Sequence, residues 1–282
     1  MNWKTFFTVM TLAASPANAA LVANWGLDDL TGPIIDSTGN HVEGLPTGSP
    51  SHGMPGVQNG VYGAISITNA IGSSIEFGPS VTDEYFTIGT DNINPVMNLD
   101  TTGSFTVMGW MNPYPIVSAA TPRSYKILAT GSAAGGDRGW GLALRMTQID
   151  GTGSSVRFTG FGIADNDSST FSLAFGNWIH LAVTYNNGFI TYFLNGNMLD
   201  SDTSAFGNET ANGRLLVGSR FGGNDADQMN GLLDGIRVYD QILTTEEIQQ
   251  AAVESVSAIP EPTVALLGLA GILPCVRRRR AL

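Results

Sequence analysis

Hydrophobic and polar residues alternate most clearly between residues 178 and 196. Large apolar residues occupy every second position of residues 179–185, which is the period of a half-buried strand. Asn-Asn-Gly at residues 186–188 and Asn-Gly at residues 195–196 tolerate positive φ angles, so the chain can reverse at both places. The stretch therefore predicts three antiparallel strands joined by tight turns.

The same kind of reading predicts strands along most of the chain and only one helix before its last residues. The predicted strands are residues 20–27, 65–67, 74–77, 85–88, 104–111, 126–129, 140–145, 156–163, 214–219 and 232–239. Residues 46–63 are rich in Gly, Pro and Ser and are expected to be irregular, and residues 165–167 are expected to begin a loop. A capping box from Thr244 to Glu247 predicts the helix. This order favours an all-β fold, a two-sheet antiparallel jelly-roll sandwich.

Both ends of the chain are predicted to serve export rather than folding. Residues 1–19 contain Lys4, an apolar run and an Ala-Asn-Ala cleavage site, which is the pattern of a signal peptide. Residues 256–282 contain a short apolar run, residues 264–276, expected to form a helix. Thirteen helical residues span about 20 Å, less than a hydrocarbon core of about 30 Å. Residues 20–255 remain as one domain.

The charge of the chain limits its partners. Residues 20–258 contain 8 basic and 23 acidic residues, a formal net charge of −15. Such a domain repels phosphate backbones, which excludes nucleic acid as the expected partner, and suits neutral glycans, cationic partners or bound cations. Solubility alone is the alternative reason for the acidity. The single cysteine, Cys275, lies in the tail, so the domain has neither a disulfide nor a catalytic thiol.

Several segments, in order, resemble the laminin-G-like (concanavalin A-like) jelly-roll domains of secreted proteins. The matching segments are Ala-Asn-Trp-Gly-Leu-Asp at 23–28, the Asp-Ser-Thr-Gly-Asn turn at 36–40, Gly-Ser-Phe-Thr-Val-Met-Gly-Trp at 103–110, the strand pair at 178–196, and the closing strands and helix at 215–218 and 231–248. The resemblance implies the sandwich fold. It leaves function open, because this fold carries lectins, adhesion modules, hydrolases and spacers.

The tail resembles the PEP-CTERM sorting signal. Its elements are a Pro-Glu-Pro motif, the apolar run and an arginine cluster, formed by Pro260, Glu261, Pro262, Arg277, Arg278, Arg279 and Arg280. The resemblance implies a transient membrane association, with the arginines on the cytoplasmic side. An exosortase-type protease would then cut near the motif and release the protein to the cell surface or extracellular matrix. A permanent membrane anchor is the alternative.

The sequence offers no pattern for catalysis. Glycosidases on this fold place carboxylates on one face of a strand, and no Glu-x-Asp-x-x-Glu strand is present. His180 falls inside a predicted strand and is expected to be a structural histidine hydrogen-bonded between the sheets. We therefore expect no catalytic residue and no certain cofactor, with a polysaccharide hydrolase or lyase as the alternative.

Two kinds of binding site are predicted. Calcium prefers several oxygen ligands, and the first and last strands of this fold commonly pair, which makes Asp28, Asp36, Asn40 and Asp234 candidate calcium ligands. Turn capping is the alternative role of these residues. Tyr114, Trp140 and Phe221 are candidates for stacking on sugars, with packing as the alternative. The leading hypothesis is an exported, non-catalytic module that binds a glycan or a matrix protein, or serves as a structural component.

Overall fold

The computed structural model describes residues 19–78, 84–89, 103–115, 122–131, 139–204, 214–220 and 227–257. These residues form 17 strands and one helix. In chain order the elements are β1 Leu21–Trp25, β2 Gly44–Thr47, β3 Ser51–Pro55, β4 Gly60–Tyr62, β5 Ile65–Ile67, β6 Ser73–Phe77, β7 Tyr85–Ile88, β8 Ser104–Pro113, β9 Arg123–Gly131, β10 Trp140–Met146, β11 Ser155–Gly160, β12 Ala164–Asp167, β13 Ile179–Asn186, β14 Phe189–Leu194, β15 Asn197–Thr203, β16 Arg214–Val217, β17 Gly231–Tyr239 and α1 Thr245–Glu254.

The strands form two antiparallel sheets. Sheet A has the order β15-β14-β13-β8-β17-β6-β3, and β1 joins β17 on the same edge as β6. Sheet B has the order β12-β11-β10-β9-β16-β7-β2. Strands β4 and β5 form a separate hairpin. The predicted all-β sandwich is confirmed, including the pairing of the first strand with the last.

The core lies between the two sheets. Its largest fully buried side chains include Trp25, Phe77, Phe86, Trp140 and Phe158. Each comes from a strand position that faces the other sheet, as period-two alternation requires. Burial of large apolar surfaces of this kind is the main favourable contribution to folding.

The outer faces of the two sheets differ. On sheet A, the indole N–H of Trp110 donates to the carbonyl of Ala252 in α1 at 3.0 Å, and Ile65 of β5 belongs to the same buried cluster. Helix α1 and the β4–β5 hairpin therefore cover much of this face. Among the described residues, no helix or hairpin covers the outer face of sheet B.

Local sequence signals explain the turns and the helix. Asn187 and Gly188 have φ angles of 46° and 93°, and Asn195 and Gly196 have 49° and 74°, as two-residue hairpin turns require. At the start of α1, Thr244 accepts a hydrogen bond from the Glu247 N–H, and the Glu247 carboxylate accepts one from the Thr244 N–H. The predicted meander and capping box are confirmed.

Two local predictions were wrong. Part of the segment expected to be irregular, residues 46–63, forms β3, β4 and the end of β2, with β2 and β3 at sheet edges. Residues 165–167, expected to begin a loop, belong to β12 and pair with β11. In both cases tertiary pairing overrides the local composition, because edge strands accept Gly, Pro and charged residues.

No helix within the described residues has the length and apolar character needed to cross a membrane.

Candidate functional site

Four side chains lie in register across the outer face of sheet B. They are Lys126 of β9, Ala143 of β10, Arg157 of β11 and Asp167 of β12. Residues in register on neighbouring strands project to the same face, whereas the alternating residues of these strands belong to the core. A row in which three of the four side chains are charged therefore crosses the outer face of sheet B.

Lys126 is the most buried charged member of this row. Only 2% of its surface is exposed. A bulge next to it leaves Ile127 without a partner in β10, so the alternation of β9 changes at this point. The ring of Phe161 lies over Gly141, where an added methyl group would be 3.0 Å from the ring, and the ring centroid is 5.5 Å from the Lys126 Nζ. The small residue in β10 thus makes room for an aromatic wall beside the ammonium group.

A cavity of about 420 Å³ opens above this row. Its charged lining residues are Lys126, Arg157, Asp165, Arg220 and Asp227. Asp165 accepts a hydrogen bond from Arg157 at 2.7 Å, and Asp227 accepts one from Arg220 at 2.7 Å. Both carboxylates of the lining are therefore bound to guanidinium groups. We call this cavity the Lys126 pocket.

The ammonium group of Lys126 has no such counter-ion. Among the described residues, no hydrogen bond or ion pair to its Nζ is present, and its only specific contact is the Phe161 ring. Burial lowers the pKa of Lys126 to about 8, although the charge of Asp227 opposes the shift. The pocket therefore presents a buried, incompletely compensated cation to whatever enters it.

A second cleft of about 440 Å³ lies where the β4–β5 hairpin meets the start of β13. Its lining residues are all uncharged and include Tyr62, Leu173 and Trp178. Trp178 is 9% exposed, so its ring is mostly packed rather than available for stacking. This cleft lacks the charged groups that fix the orientation of a polar ligand.

The structure brings two of the four predicted calcium ligands together. Asp234 of β17 is 2% exposed and accepts a hydrogen bond from the Val57 N–H at 3.0 Å. Burial raises its pKa well above the ordinary value, and the nearby charge of Asp28 raises it further. The pKa of Asp28 is also raised by burial, against the hydrogen bond that it accepts from Ser73. Two neighbouring carboxylates thus share a poorly solvated site.

The other two predicted ligands belong to a different structure. Asp36 accepts hydrogen bonds from the backbone N–H groups of Asn24 and Thr38 and from the His41 ring at 2.7 Å. Although burial opposes it, this set of donors lowers the pKa of Asp36 to about 2. Asn40 donates to the carbonyl of Val22. Asp36 and Asn40 therefore organise a turn, so the prediction of one four-residue site was wrong.

Gly56 lies close to Asp234 and to the backbone that precedes β6. A methyl group added to Gly56 would lie 2.8 Å from Oδ2 of Asp234 and 3.1 and 3.2 Å from the carbonyl oxygens of Ser73 and Gly72. The absence of a side chain at Gly56 therefore lets these three oxygen atoms pack close to its backbone. Calcium binds mixtures of carboxylate and carbonyl oxygens. Within the described part of the chain, no group of three or more His, Cys, Asp or Glu side chains forms a metal cluster, so a bound calcium ion would need backbone carbonyls.

Comparison with known proteins decides the family. A family model described as Laminin_G_3, concanavalin A-like lectin/glucanases superfamily, matches residues 82–249, more than half of the chain. The chain belongs to this superfamily. The match covers β7 to β17 and the first half of α1, and so includes every strand that lines the Lys126 pocket.

Solved structures share the superfamily fold. Domain 4 of AbnA, a GH43 extracellular arabinanase from Geobacillus stearothermophilus, in complex with arabinotriose, matches with a TM-score of 0.55 and 21% identity over 83% of this chain and 98% of that chain. The receptor binding domain of botulinum neurotoxin C/D mosaic serotype matches with a TM-score of 0.51 and 11% identity, over 82% of this chain and 50% of that chain. This chain therefore spans about half of the toxin domain. At these identities the likeness shows a common fold.

Two of the three predicted sugar-stacking residues, Trp140 and Tyr114, lie within the described residues. Trp140 is fully buried between Phe105 and Phe158, so its prediction was wrong: its ring packs in the core and offers no face to a ligand. Tyr114 is half-buried and donates its hydroxyl to Glu76 at 2.7 Å, and burial raises its pKa to about 12. Phe221 lies outside the described residues, as do the residues of the predicted sorting signal from Pro260 to Arg280.

Sequence reasoning missed the Lys126 pocket altogether. The pocket combines residues from β9, β11, the β11–β12 turn and the segment after β16, which only the register of sheet B brings together. One signal was available: Lys126 is the sole lysine after Lys4 in a strongly acidic chain. An isolated cation in an apolar strand is unusual enough to mark a candidate binding residue.

Proposed function

We propose that this protein is an exported, non-catalytic module that binds a glycan through the Lys126 pocket. The observation that carries the proposal is the buried Lys126 ammonium group, which faces a cavity of about 420 Å³ and has no counter-ion among the described residues. A buried charge of this kind costs free energy that a bound ligand recovers. A buried ammonium group at this position is therefore better explained by binding than by folding.

The composition of the pocket suits a sugar. Phe161 supplies an apolar surface beside the cation, while Thr159 and the Arg157–Asp165 and Arg220–Asp227 pairs supply donors and acceptors around it. Sugars combine an apolar ring face with hydroxyl groups, so they use both kinds of surface. The complex of AbnA domain 4 with arabinotriose gives a precedent for oligosaccharide binding on the same fold.

A binding role is also consistent with how the pocket carboxylates are arranged. Glycoside hydrolysis requires one carboxyl group that can donate a proton and a second that acts as base or nucleophile. Asp165 and Asp227 are each paired with an arginine at 2.7 Å. Because the two carboxylates of the described lining are paired alike, their arrangement supports a binding role.

We further propose that calcium binds beside Asp28 and Asp234 and stabilises the fold. We also propose that residues 256–282 direct the protein to the cell surface or extracellular matrix. The calcium proposal rests on the two neighbouring, poorly solvated carboxyl groups of Asp28 and Asp234. The proposal about delivery rests on the sequence of residues 256–282. It includes an exosortase-type protease as the partner that processes these residues.

The experiment is binding of the purified protein to a broad glycan array and to the exopolysaccharide of the producing cells. The variants are Lys126→Met, which removes the buried cation, and Arg123→Gln, which removes a charge from the same strand outside the pocket lining. We expect Lys126→Met to weaken binding by about tenfold or more, as loss of a charged contact does, and Arg123→Gln to change it by less than about twofold. Absence of binding, or equal binding by both variants, contradicts the proposal. Release of new reducing ends from the same glycans would favour the hydrolase or lyase instead.

A further inference from the structure

The charge of the Lys126 pocket points to the chemical class of its ligand. The lining contains three cations, Lys126, Arg157 and Arg220, and two carboxylates, Asp165 and Asp227. Residues 20–258 have only 8 basic residues against 23 acidic ones, yet three of the eight meet in this cavity. A locally positive cavity in an acidic domain attracts anionic groups and repels cations.

The two carboxylates do not neutralise Lys126. Asp165 accepts hydrogen bonds from Arg157 and from the Thr159 hydroxyl, at 2.7 and 2.9 Å. Asp227 accepts a hydrogen bond from Arg220 Nε at 2.7 Å. Arg157 is engaged a second time by Asp167, to which its Nε and Nη2 donate at 2.7 Å each. The uncompensated charge of the pocket is therefore concentrated on one ammonium group.

Neutral hydroxyl groups compensate such a charge poorly. An ionised acceptor forms a hydrogen bond to an ammonium about twice as strong as a neutral acceptor does, and the difference grows where water is excluded. A single negative charge neutralises the one Lys126 ammonium group. A ligand with that charge therefore does not need to break the Arg157–Asp165 and Arg220–Asp227 ion pairs. The site thus favours a monoanion on the sugar over a neutral sugar.

Resting on the proposed glycan-binding function, we propose that the Lys126 pocket selects sugars that carry one negative charge, as the carboxylate of a uronic acid or as a sulfate ester. The anionic group contacts the Lys126 ammonium, and the sugar ring lies against Phe161. The two sources share the same chemistry, and separate ligand pairs distinguish them.

The test follows the Lys126 side chain itself during titration with matched oligosaccharides. The chain has two lysines, and removal of the predicted signal peptide with Lys4 leaves Lys126, so isotope-labelled lysine gives one side-chain NMR signal, which Lys126→Met should abolish. The ligands are an oligogalacturonate with its methyl ester, and a sulfated galactan oligosaccharide with its desulfated form. We expect at least one charged member to bind about tenfold or more tightly than its neutral partner, and to raise the pKa of Lys126 above its value of about 8 in the free protein.

The pH dependence provides a second readout. The charged groups that face Lys126 are Asp227, Arg157, Asp165 and Arg220. Because Lys126, with a pKa of about 8, loses its charge between pH 7 and 9, the affinity for the anionic sugar should fall by about tenfold over this range. Affinity for a neutral sugar should stay constant.

The outcomes separate this inference from the function on which it rests. If charged and neutral members bind equally and Lys126→Met weakens both, the pocket binds glycans and the inference about charge is wrong. If an anionic sugar binds without moving the Lys126 signal, the inference is also wrong. If neither member of any pair binds and the glycan array is negative, the proposed function itself fails together with the inference.

Discussion

The buried side chain of His180 predicts how much stability the folded protein loses in acid. Its side chain is fully buried against the ring of Trp110, with ring centroids 5.0 Å apart, on the face of sheet A that α1 covers. Neither ring nitrogen has a hydrogen-bond partner among the described residues. His180 is therefore a packed, neutral side chain, which corrects the prediction of a histidine hydrogen-bonded between the sheets.

The size of this loss of stability follows from the pKa of His180. Burial lowers the pKa of His180 from the ordinary 6.5 to about 3, and the positive charge of Arg237 adds to this effect. The unfolded chain therefore binds a proton near pH 6.5, whereas the folded protein does so only near pH 3. The stability linked to this group is complete above pH 6.5 and is lost as the pH falls. At pH 4.5, two units below 6.5, the loss is about 2.7 kcal/mol.

The assay is urea unfolding of the wild type and of His180→Leu at pH 7.5 and pH 4.5. Leu keeps an apolar side chain against Trp110 and removes the titrating group. We expect the wild type to lose about 2.7 kcal/mol more than the variant on acidification. Val183→Ala, in the same strand, should lower stability by the same amount at both pH values, because it only removes buried methyl groups. Equal losses on acidification in the wild type and His180→Leu would refute the neutral buried histidine.

Three further predictions concern other parts of the fold. Millimolar calcium should raise the melting temperature of the wild type but not of Asp234→Asn, as measured by calorimetry. In EDTA at pH 7.5, calorimetry should show that Asp234→Asn is at least as stable as the wild type, because the variant lacks a buried carboxyl group with a raised pKa. Thr244→Ala should lower the free energy of unfolding by about 1 kcal/mol, since it removes the cap of α1, and an unchanged urea midpoint would contradict this. Gly218→Ala should cost about 1–3 kcal/mol, because φ is +86° and the new methyl group would lie 2.6 Å from the Phe77 ring; Phe77→Leu in the same background should recover part of the loss.

Features that depend on neighbouring residues were predictable from the sequence. The Asn195–Gly196 turn and the Thr244–Glu247 cap each involve a few consecutive residues whose backbone preferences agree with the final structure. The buried row of strand β13 was equally clear, because period-two alternation needs no knowledge of the partner strand.

Features that depend on register were not predictable in the same way. Lys126, Arg157 and Asp167 lie up to 41 positions apart and meet only through the pairing of β9 to β12. Asp28 and Asp234 could be grouped because the resemblance implied that the terminal strands pair. The sequence did not show that the Asp36 carboxylate accepts hydrogen bonds from backbone N–H groups of its own turn. Trp140 was misjudged because an aromatic residue at the start of a strand can face either way.

A crystal structure of the protein with a bound oligosaccharide chosen from the array would show directly where the glycan binds. We expect a sugar on the outer face of sheet B, in contact with Lys126 Nζ and the Phe161 ring. A sugar bound instead in the uncharged cleft beside Trp178, with the Lys126 pocket empty, would contradict this expectation.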